Sequence, residues 1–379
     1  MYEITPVDNF FFRSAVPFES AGETSLVGSI FPPMPSAYAG AVREHAVSRR
    51  IRIGFNGIKL GNDFCFPKPS DLIPYERDQN SYCSTMVIEP SPLSSFPLPC
   101  YLREQAVSEG KTKTKDDLYM TYGAMQSYLN HNIDEYECFS LSSHIIFEPK
   151  IGIAIDGKKH KVKDEHLYQI KMLRPQCGLK LVADIKNINI EKDTIVKLGG
   201  ESKMAKIYSV DSGLTIGSAV RESSFFKLYL ATPAIFKNGW LPAWIDPVNM
   251  TGRFSYKDKS VRVQLITAAI GKRVLAGGFG YDLVGANPTE KDKKRKYKPR
   301  EMRYAVPAGS VYYFKLLEGS FQNAVTLFNQ KCISDYREDY GFEYPPLQYN
   351  RIKYCDRGFG YAIVGSLNKN QEEMLQCIM

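Results

Sequence analysis

Three prolines between residues 32 and 35 place the strongest constraint on how the first part of this chain can fold. Pro32, Pro33 and Pro35 are excluded from a helix interior and from a central strand, because proline has no backbone N–H and a fixed φ. Before them, the apolar run Phe10–Phe12 predicts a strand that ends at Arg13. The chain is therefore expected to begin with a strand, a long loop and a proline-rich segment.

A short helix is predicted directly after the prolines, from Ser36 to Arg49. Serine is a favourable N-cap residue, and four following side chains recur at helical spacing: Tyr38, Ala41, Val42 and His45. Gly40 lies within this helix and costs about 1 kcal/mol relative to alanine, which indicates a close backbone approach.

Strand-like runs dominate the rest of the chain. They cover residues 50–60, 138–147, 179–185, 225–231, 261–269 and 309–317. Helical patterns cover only residues 36–49, 119–130 and 320–336. This loose alternation predicts an α+β fold. The length of 379 residues exceeds that of a usual single domain, so two domains are expected.

An octapeptide occurs twice, at residues 278–285 and 358–365. Both copies place a glycine-aromatic-glycine turn before a short apolar strand, and a basic residue precedes each copy. The residues are Arg273, Gly278, Phe279 and Gly280 in the first copy and Arg357, Gly358, Phe359 and Gly360 in the second. Glycine permits φ > 0 and exposes backbone N–H groups, which suits the approach of a polyanion backbone. A pair of β-bulges explains the same pattern without a ligand.

The composition is that of a globular protein with a mild positive charge. Hydrophobic residues make up 44% and charged residues 24%, which excludes a disordered or fibrous chain. The formal charge of +8 at pH 7 favours an anionic partner. The eight cysteines form no CxxC pair, so reduced thiols are expected rather than a zinc site. With no signal peptide and no long apolar run, a cytoplasmic protein is expected.

Motifs of hydrolytic or metal-dependent catalysis are absent from the sequence. It has no G-x-S-x-G, P-loop, H-E-x-x-H or histidine-aspartate doublet, so no catalytic residue, metal or cofactor is expected. His45 shares a helix face with Tyr38 and Val42, which predicts a buried structural histidine.

Glycines followed by lysines supply one candidate phosphate site. Gly199 and Gly200, with Lys203 and Lys206 after them, combine flexible amides with two cations, as a phosphate nest does. Without a ligand the same residues form a simple turn. The basic segment 287–303 is interpreted either as a solvated loop or as a further phosphate contact.

Arginines and aromatic residues supply further candidate contacts for an anionic partner. Arg43 and Arg50 lie seven residues apart on one face of the predicted helix, and Arg13 leads into the loop before it. Single-stranded RNA is held by bases stacked on aromatic rings beside cations that follow the backbone. Phe279 and Phe359 are the candidates for such stacking.

Nine segments of the chain, taken together in their order, resemble segments of a known family. They are residues 8–44, 66–72, 119–129, 151–156, 197–203, 228–233, 239–242, 306–314 and 358–360. They resemble the RAMP proteins of type III-B CRISPR effector complexes, in particular the Cmr subunit that holds the 5′ end of the guide RNA. Relatives tend to carry an acidic-glycine-basic trio after the first arginine. This chain has Ser14, Ala15 and Val16 at those positions. Arg13 is therefore the residue of this motif that remains a candidate RNA contact.

The resemblance implies two ferredoxin-like RAMP units with glycine-rich and inserted loops, residues 1–210 and 211–379. It implies a non-catalytic subunit that binds the 5′ handle of the guide RNA and contacts the large polymerase-like subunit and backbone RAMP subunits, with no membrane partner. Two alternatives stay open. One is a metal-independent endoribonuclease of the same superfamily that processes the guide. RNA-cleaving relatives place a general-base histidine near the first helix, so the resemblance makes His45 the candidate base on a ribose 2′-hydroxyl in that case. The other is the scaffold subunit of a sister type III system. RNA binding by the isolated chain would argue against this second alternative.

Overall fold

The computed structural model describes most of the chain. The described residues are 1–14, 25–47, 51–91, 95, 97–104, 117–131, 135–156, 161–211, 213–219, 222–277, 279–281, 297–299, 302–335 and 354–378. Residues up to 210 are called the first half below, and the residues after them the second half.

Strands far outnumber helices in the described part of both halves. Those of the first half are β1 (Tyr2–Pro6), β2 (Ser25–Val27), β3 (Arg52–Leu60), β4 (Asp63–Pro67), β5 (Leu72–Arg77), β6 (Asn80–Thr85), β7 (Val87–Pro90), β8 (Cys100–Arg103), β9 (Leu118–Thr121), β10 (Glu135–Ser140), β11 (Ile145–Asp156), β12 (Lys161–Pro175), β13 (Leu179–Lys186), β14 (Thr194–Lys197) and β15 (Met204–Ser209). Those of the second half are β16 (Phe225–Leu230), β17 (Thr251–Tyr256), β18 (Lys259–Ala269), β19 (Val274–Ala276), β20 (Phe279–Tyr281), β21 (Tyr297–Pro299), β22 (Arg303–Ala305), β23 (Val311–Glu318), β24 (Lys331–Cys332) and β25 (Tyr361–Gly365).

Helices are few and short. They are α1 (Ser36–Ala41), α2 (Tyr122–Asn130), α3 (Phe321–Phe328) and α4 (Lys369–Ile378), with 3-10 turns at Arg43–His45 and Leu141–His144. In the described part of the chain, none of them combines the length and the apolar character needed to cross a membrane.

Each sheet draws its strands from one half only. The first half forms a ten-stranded sheet in the order β14-β15-β1-β13-β3-β4-β9-β10-β6-β5 and a three-stranded sheet β11-β12-β2. The second half forms a six-stranded sheet in the order β17-β18-β23-β16-β25-β24. The pairs β7-β8, β19-β22 and β20-β21 are separate ladders. The fold is therefore α+β with mostly antiparallel sheets, as the sequence pattern predicts.

Four strands of each half follow the same spatial order. It is β15-β1-β13-β3 in the first half and β25-β16-β23-β18 in the second, which is fourth-first-third-second in chain order. Neighbours in both sets are antiparallel. In the first half α1 lies on the connection from β1 to β3, and in the second α3 lies on the connection from β23 to β25.

The two halves share a hydrophobic core. One buried cluster contains Phe55 and Tyr128 from the first half and Tyr229, Tyr313 and Ile363 from the second, each at most 2% exposed. Strand β16 has both of its faces buried, because one face packs in this shared cluster and the other packs against α3. Burial on both faces explains why its sequence is apolar at nearly every position.

The first predicted helix is shorter than expected. It ends at Ala41, and a 3-10 turn follows instead of two further helical turns. The N–H of Val47 donates to the carbonyl of Asn187, and Ala46 pairs with Ile188, so contacts with a distant segment draw the chain out of the helix. The expectation of one helix through Arg49 was wrong for this reason.

Other elements depart from the sequence pattern in the same way. The run predicted as one strand at 138–147 is split by the turn Leu141–His144 into β10 and β11. The helix predicted at 320–336 is α3, which begins after the N-cap Ser320 and ends at Phe328. The strand predicted to end at Arg13 consists of isolated pairings of Phe10 with Leu173 and of Arg13 with Ser29.

Candidate nucleic-acid interface

A cavity of about 440 Å³ lies between the two halves of the protein. Its lining from the first half is Ser14, Ile30, Pro32, Pro33, Met34, Phe55, Asn56, Gly57, Cys65, Pro67 and Tyr119. Its lining from the second half is Ala231, Thr232, Pro233, Arg273, Val274, Leu275 and Ala308. Cavities of this size between domains are typical ligand sites. Six of the segments that carry the family resemblance contribute residues to this lining or contact it directly.

The proline loop forms one wall of the cavity. The N–H of Ser14 donates to the carbonyl of Gly28 at 2.9 Å, and the N–H of Ile30 donates to the carbonyl of Phe12 at 2.9 Å. Phe12 is anchored in the core of the first half at 5% exposed. This short ladder therefore holds the loop in place, with the exposed Arg13 directly before the cavity residue Ser14.

The second glycine-aromatic-glycine copy is a packing element of the opposite wall. Gly358 has φ +84°, and a Cβ atom there would lie 2.5 Å from Asn56 Nδ2. Its carbonyl accepts hydrogen bonds from Asn56 Nδ2 at 3.1 Å and from Thr232 Oγ1 at 2.7 Å. Gly360 has φ +72° and would place a Cβ 2.8 Å from the backbone nitrogen of Ser334. Both glycines are thus required by close packing within the chain.

Phe359 does not offer its ring to a ligand. It is 1% exposed and packs with Ile235, Ala276 and Ala305. The expectation that Phe359 stacks on a base was wrong, because the turn directs this side chain into the core. Arg357 pairs with Ile53 of β3 beside it.

A third glycine joins the two halves at the other side of the cavity. Gly309 has φ +91°, and its Cβ position lies 2.6 Å from the carbonyl oxygen of Lys68. The N–H of Ser70 donates to the carbonyl of Gly309 at 2.8 Å. The turns at Gly309 and Gly358 therefore fix the second half onto the first, next to the cavity residues Ala308 and Asn56.

Arg273 is the charged residue of the cavity lining. Its side chain is exposed, and its guanidinium carbon lies 4.0 Å from the ring centroid of Tyr304, which is 53% exposed. A guanidinium stacked on a ring is held in one orientation, and its remaining donors suit bidentate binding of phosphate.

The candidate nest at Gly199 and Gly200 faces the first strand segment rather than the cavity. The N–H of Gly200 donates to the carbonyl of Phe11 at 2.8 Å, and a Cβ on Gly199 would lie 2.6 Å from that oxygen. The two glycines therefore support the segment that carries Arg13. The Gly200 amide is used inside the chain, not left open as the nest interpretation expected.

The two lysines after these glycines form surface ion pairs. Lys203 Nζ lies 3.4 Å from Asp8, and Lys206 Nζ lies 3.3 Å from Asp193. Arg174 also binds Asp8, and this hydrogen bond together with Lys203 lowers the pKa of the carboxyl. Because exposed pairs of this kind contribute little to stability, either lysine can exchange its carboxylate for a phosphate.

The remaining candidates lie elsewhere or outside the described residues. Arg43 is exposed on the 3-10 turn, and His45 on the same turn is half-buried rather than fully buried. Gly280 pairs with Lys298 in the β20-β21 ladder. Arg50, Gly278, the side chain of Phe279 and most of the basic segment 287–303 lie outside the described residues.

Sequence reasoning missed the polar residues that shape the cavity. Asn56 and Thr232 carry the hydrogen bonds to Gly358, and the Asn56 contact joins residues 302 positions apart. No local sequence pattern signals a contact of that range. As for metals, no group of three or more His, Cys, Asp or Glu side chains suited to hold an ion occurs in the part of the chain that the structure describes.

Two solved structures contain a chain to which this chain is similar. A chain in the cryo-EM structure of the Type III-B Cmr-beta bound to cognate target RNA is 15% identical and has a TM-score of 0.49, with 95% of both chains covered. A chain in the structure with cognate target RNA and AMPPnP, state 1, is 17% identical and has a TM-score of 0.44, with 82% of this chain and 85% of that one covered. No curated protein matches the sequence.

The family match covers nearly the whole chain. Residues 2–52 and 61–365 match the sequence model of a family described as CRISPR-associated protein (Cas_Cmr3). This match confirms the resemblance to a Cmr subunit that the sequence segments indicated. The chain belongs to the Cas_Cmr3 family of CRISPR-associated proteins.

Proposed function

We propose that this chain is a non-catalytic RAMP subunit of a type III-B Cmr ribonucleoprotein, and that it binds the 5′ handle of the guide RNA. The observation that carries the proposal is the cavity between the halves. It gathers segments separated by up to some 300 residues in the chain, including the Arg13 loop and the stacked Arg273. Arginine donors beside aromatic and apolar surface are typical of single-stranded RNA sites.

The chemistry of these residues supports binding rather than catalysis. The guanidinium of Arg273 carries N–H donors and no acceptor, so it suits the binding of an anion. Two other polar lining residues, Asn56 and Thr232, already donate hydrogen bonds to the carbonyl of Gly358. The role proposed for the interface is to hold the guide while other subunits recognise and cut the target RNA.

The strand order supports ferredoxin-like units as the frame of this interface. The order fourth-first-third-second in both halves is that of a split βαβ fold in which one crossover of each half has an additional edge strand, β14 or β17, in place of a helix. We propose that the large polymerase-like subunit and a backbone RAMP subunit contact the chain around this frame and together form the base of the complex.

Salt-dependent binding tests the proposal. The reconstituted complex is compared with Arg13→Gln and Arg273→Gln variants for retention of guide RNA at several salt concentrations. Each lost phosphate contact is expected to reduce the slope of log affinity against log salt by about 0.7. The matched control is Arg262→Gln, because Arg262 is an exposed arginine paired with Glu318 at the far end of β23.

Two results would contradict the proposal. One is that Arg13→Gln and Arg273→Gln, like the control Arg262→Gln, leave the slope of log affinity against log salt unchanged. The other is site-specific cleavage of repeat RNA by the purified chain, which would indicate a processing endoribonuclease instead.

A further inference from the structure

We propose that the cavity between the halves holds one unstacked nucleobase of the guide, with the adjoining phosphate on Arg273. This inference rests on the proposed function and specifies it, because it names the chemical group that occupies the cavity. The inference is based on one observation: Arg273, a cation oriented by stacking on Tyr304, lies in the lining of an otherwise largely apolar cavity.

The size and surface of the cavity suit a flat heterocycle. Its volume of about 440 Å³ compares with about 150 Å³ for an apolar cavity that stays dry and admits benzene. Pro32, Pro33 and Met34 supply apolar surface from the first half, and Val274 and Leu275 supply it from the second half. Every nucleobase has two flat faces that such walls can cover.

The charge of the lining selects a nucleotide over an aromatic side chain of a protein partner. Arg273 is the one charged residue among the described lining residues, and no carboxylate lies among them. An inserted aromatic side chain would fill the apolar space and leave the guanidinium without an anion. A nucleotide satisfies both parts, because its phosphate is attached to the base through one sugar.

The hydrogen-bonding groups of the lining predict tolerance of base identity. Asn56 Nδ2 donates to the carbonyls of Gly54 and Gly358. Thr232 Oγ1 donates to Gly358 and accepts from the N–H of Tyr361 at 2.8 Å. Because Asn56 Nδ2 and Thr232 Oγ1 are used to hold the wall, these two groups do not read the edge of a base, and any of the four bases is expected to enter.

The cavity is also formed before a ligand arrives. The turns at Gly309 and Gly358 close around it with backbone and Asn56 hydrogen bonds, so the walls need little ordering on binding.

Fluorescent guides test the inference in the reconstituted complex. The fluorescent base 2-aminopurine replaces each handle base in turn, and its emission is expected to rise at one position, where the base leaves its stacked neighbours. Ala308→Phe fills the cavity from its half-buried rim and is expected to abolish this rise and weaken guide binding about tenfold, within the range for one stacked base.

Matched variants separate filling from damage to the fold. Ser14→Phe fills the cavity from a lining residue of the first half. It is expected to abolish the fluorescence rise as well, so the test does not depend on whether Ala308→Phe folds. Ala219→Phe adds the same side chain at an exposed position and is expected to change nothing. Exchanging the base at the responsive position is expected to change binding by less than about tenfold.

The outcomes distinguish this inference from the proposed function. If the guide is retained but no position responds, or the response survives in both filled variants, the cavity holds no base and the inference is overturned while handle binding stands. If free adenosine monophosphate in excess removes the response, a base with its phosphate competes for the same cavity, which supports the inference. If the wild-type complex does not retain the guide at all, the proposed function fails and the inference fails with it.

Discussion

Replacing the buried lysine that joins the two halves tests how firmly they are packed together. Lys227 on β16 is 0% exposed. Its Nζ donates to the carbonyl of Tyr128 at 3.0 Å, lies 2.7 Å from His131 Nε2, and lies 3.3 Å from the ring centroid of Tyr128. Both partners belong to α2 and its C-cap in the first half. Lys227→Met keeps a similar volume and removes the charge.

The expected effect follows from the pKa of this lysine. Burial lowers the pKa of Lys227 from 10.5 to about 7, against a smaller opposite effect of the Asp71 carboxylate. Below pH 7 both the folded and the unfolded state carry the proton, and the cost of burying the ammonium is complete. Between pH 7 and 10.5 the unfolded state binds more protons, so stability rises with pH. From pH 7 to 9 the gain is about 2 kcal/mol at 1.36 kcal/mol per pKa unit.

Urea denaturation at pH 7, 8 and 9 measures this gain. The difference in free energy of unfolding between wild type and Lys227→Met is expected to change by about 2 kcal/mol over the range, with the variant relatively more stable at pH 7. Lys197→Met, at an exposed position of β14, is the control and is expected to follow the wild type. Parallel curves for wild type and Lys227→Met would refute the reasoning.

Three further predictions concern the second half and the chemistry of the chain. Gly358→Val is expected to cost about 2–4 kcal/mol of stability by chemical denaturation, since it combines a positive φ with overpacking. Gly213→Val, at a position with nothing within 4 Å, is its control, and an equal loss in both would contradict the packing role. Phe359→Ala is expected to cost about 3–5 kcal/mol while the folded complex binds guide RNA as before in filter binding. Purified protein is expected to leave labelled repeat RNA intact with or without Mg²⁺; cleavage that vanishes in His45→Ala would contradict this.

Local sequence patterns predicted the elements whose packing agrees with them. The alternation within 52–60 and the apolar run at 225–230 correspond to β3 and β16. These patterns failed where contacts with distant parts of the chain determine the local structure. An example is the segment after Ala41, which leaves the helix and pairs with Asn187 and Ile188. The α-helix at the end of the described chain, α4, was not predicted.

The site was predicted in part for a similar physical reason. Glycines in a sequence indicate turns, because few other residues tolerate a positive φ. The turn at Gly358 was therefore predicted from the sequence. Whether such a turn faces a ligand or the core depends on what lies opposite, and here Asn56 and Ile53 of β3 lie opposite. Arg273 was found by its place before a glycine turn, but its stacking on Tyr304 was not.

A cryo-EM map of the assembled ribonucleoprotein with its guide RNA tests the central claim most directly. The account predicts density for the 5′ handle against the cavity between the halves, with a phosphate at Arg273 and one base between the proline loop and β19. A map in which the handle lies on another surface of this subunit, or on other subunits only, would contradict it.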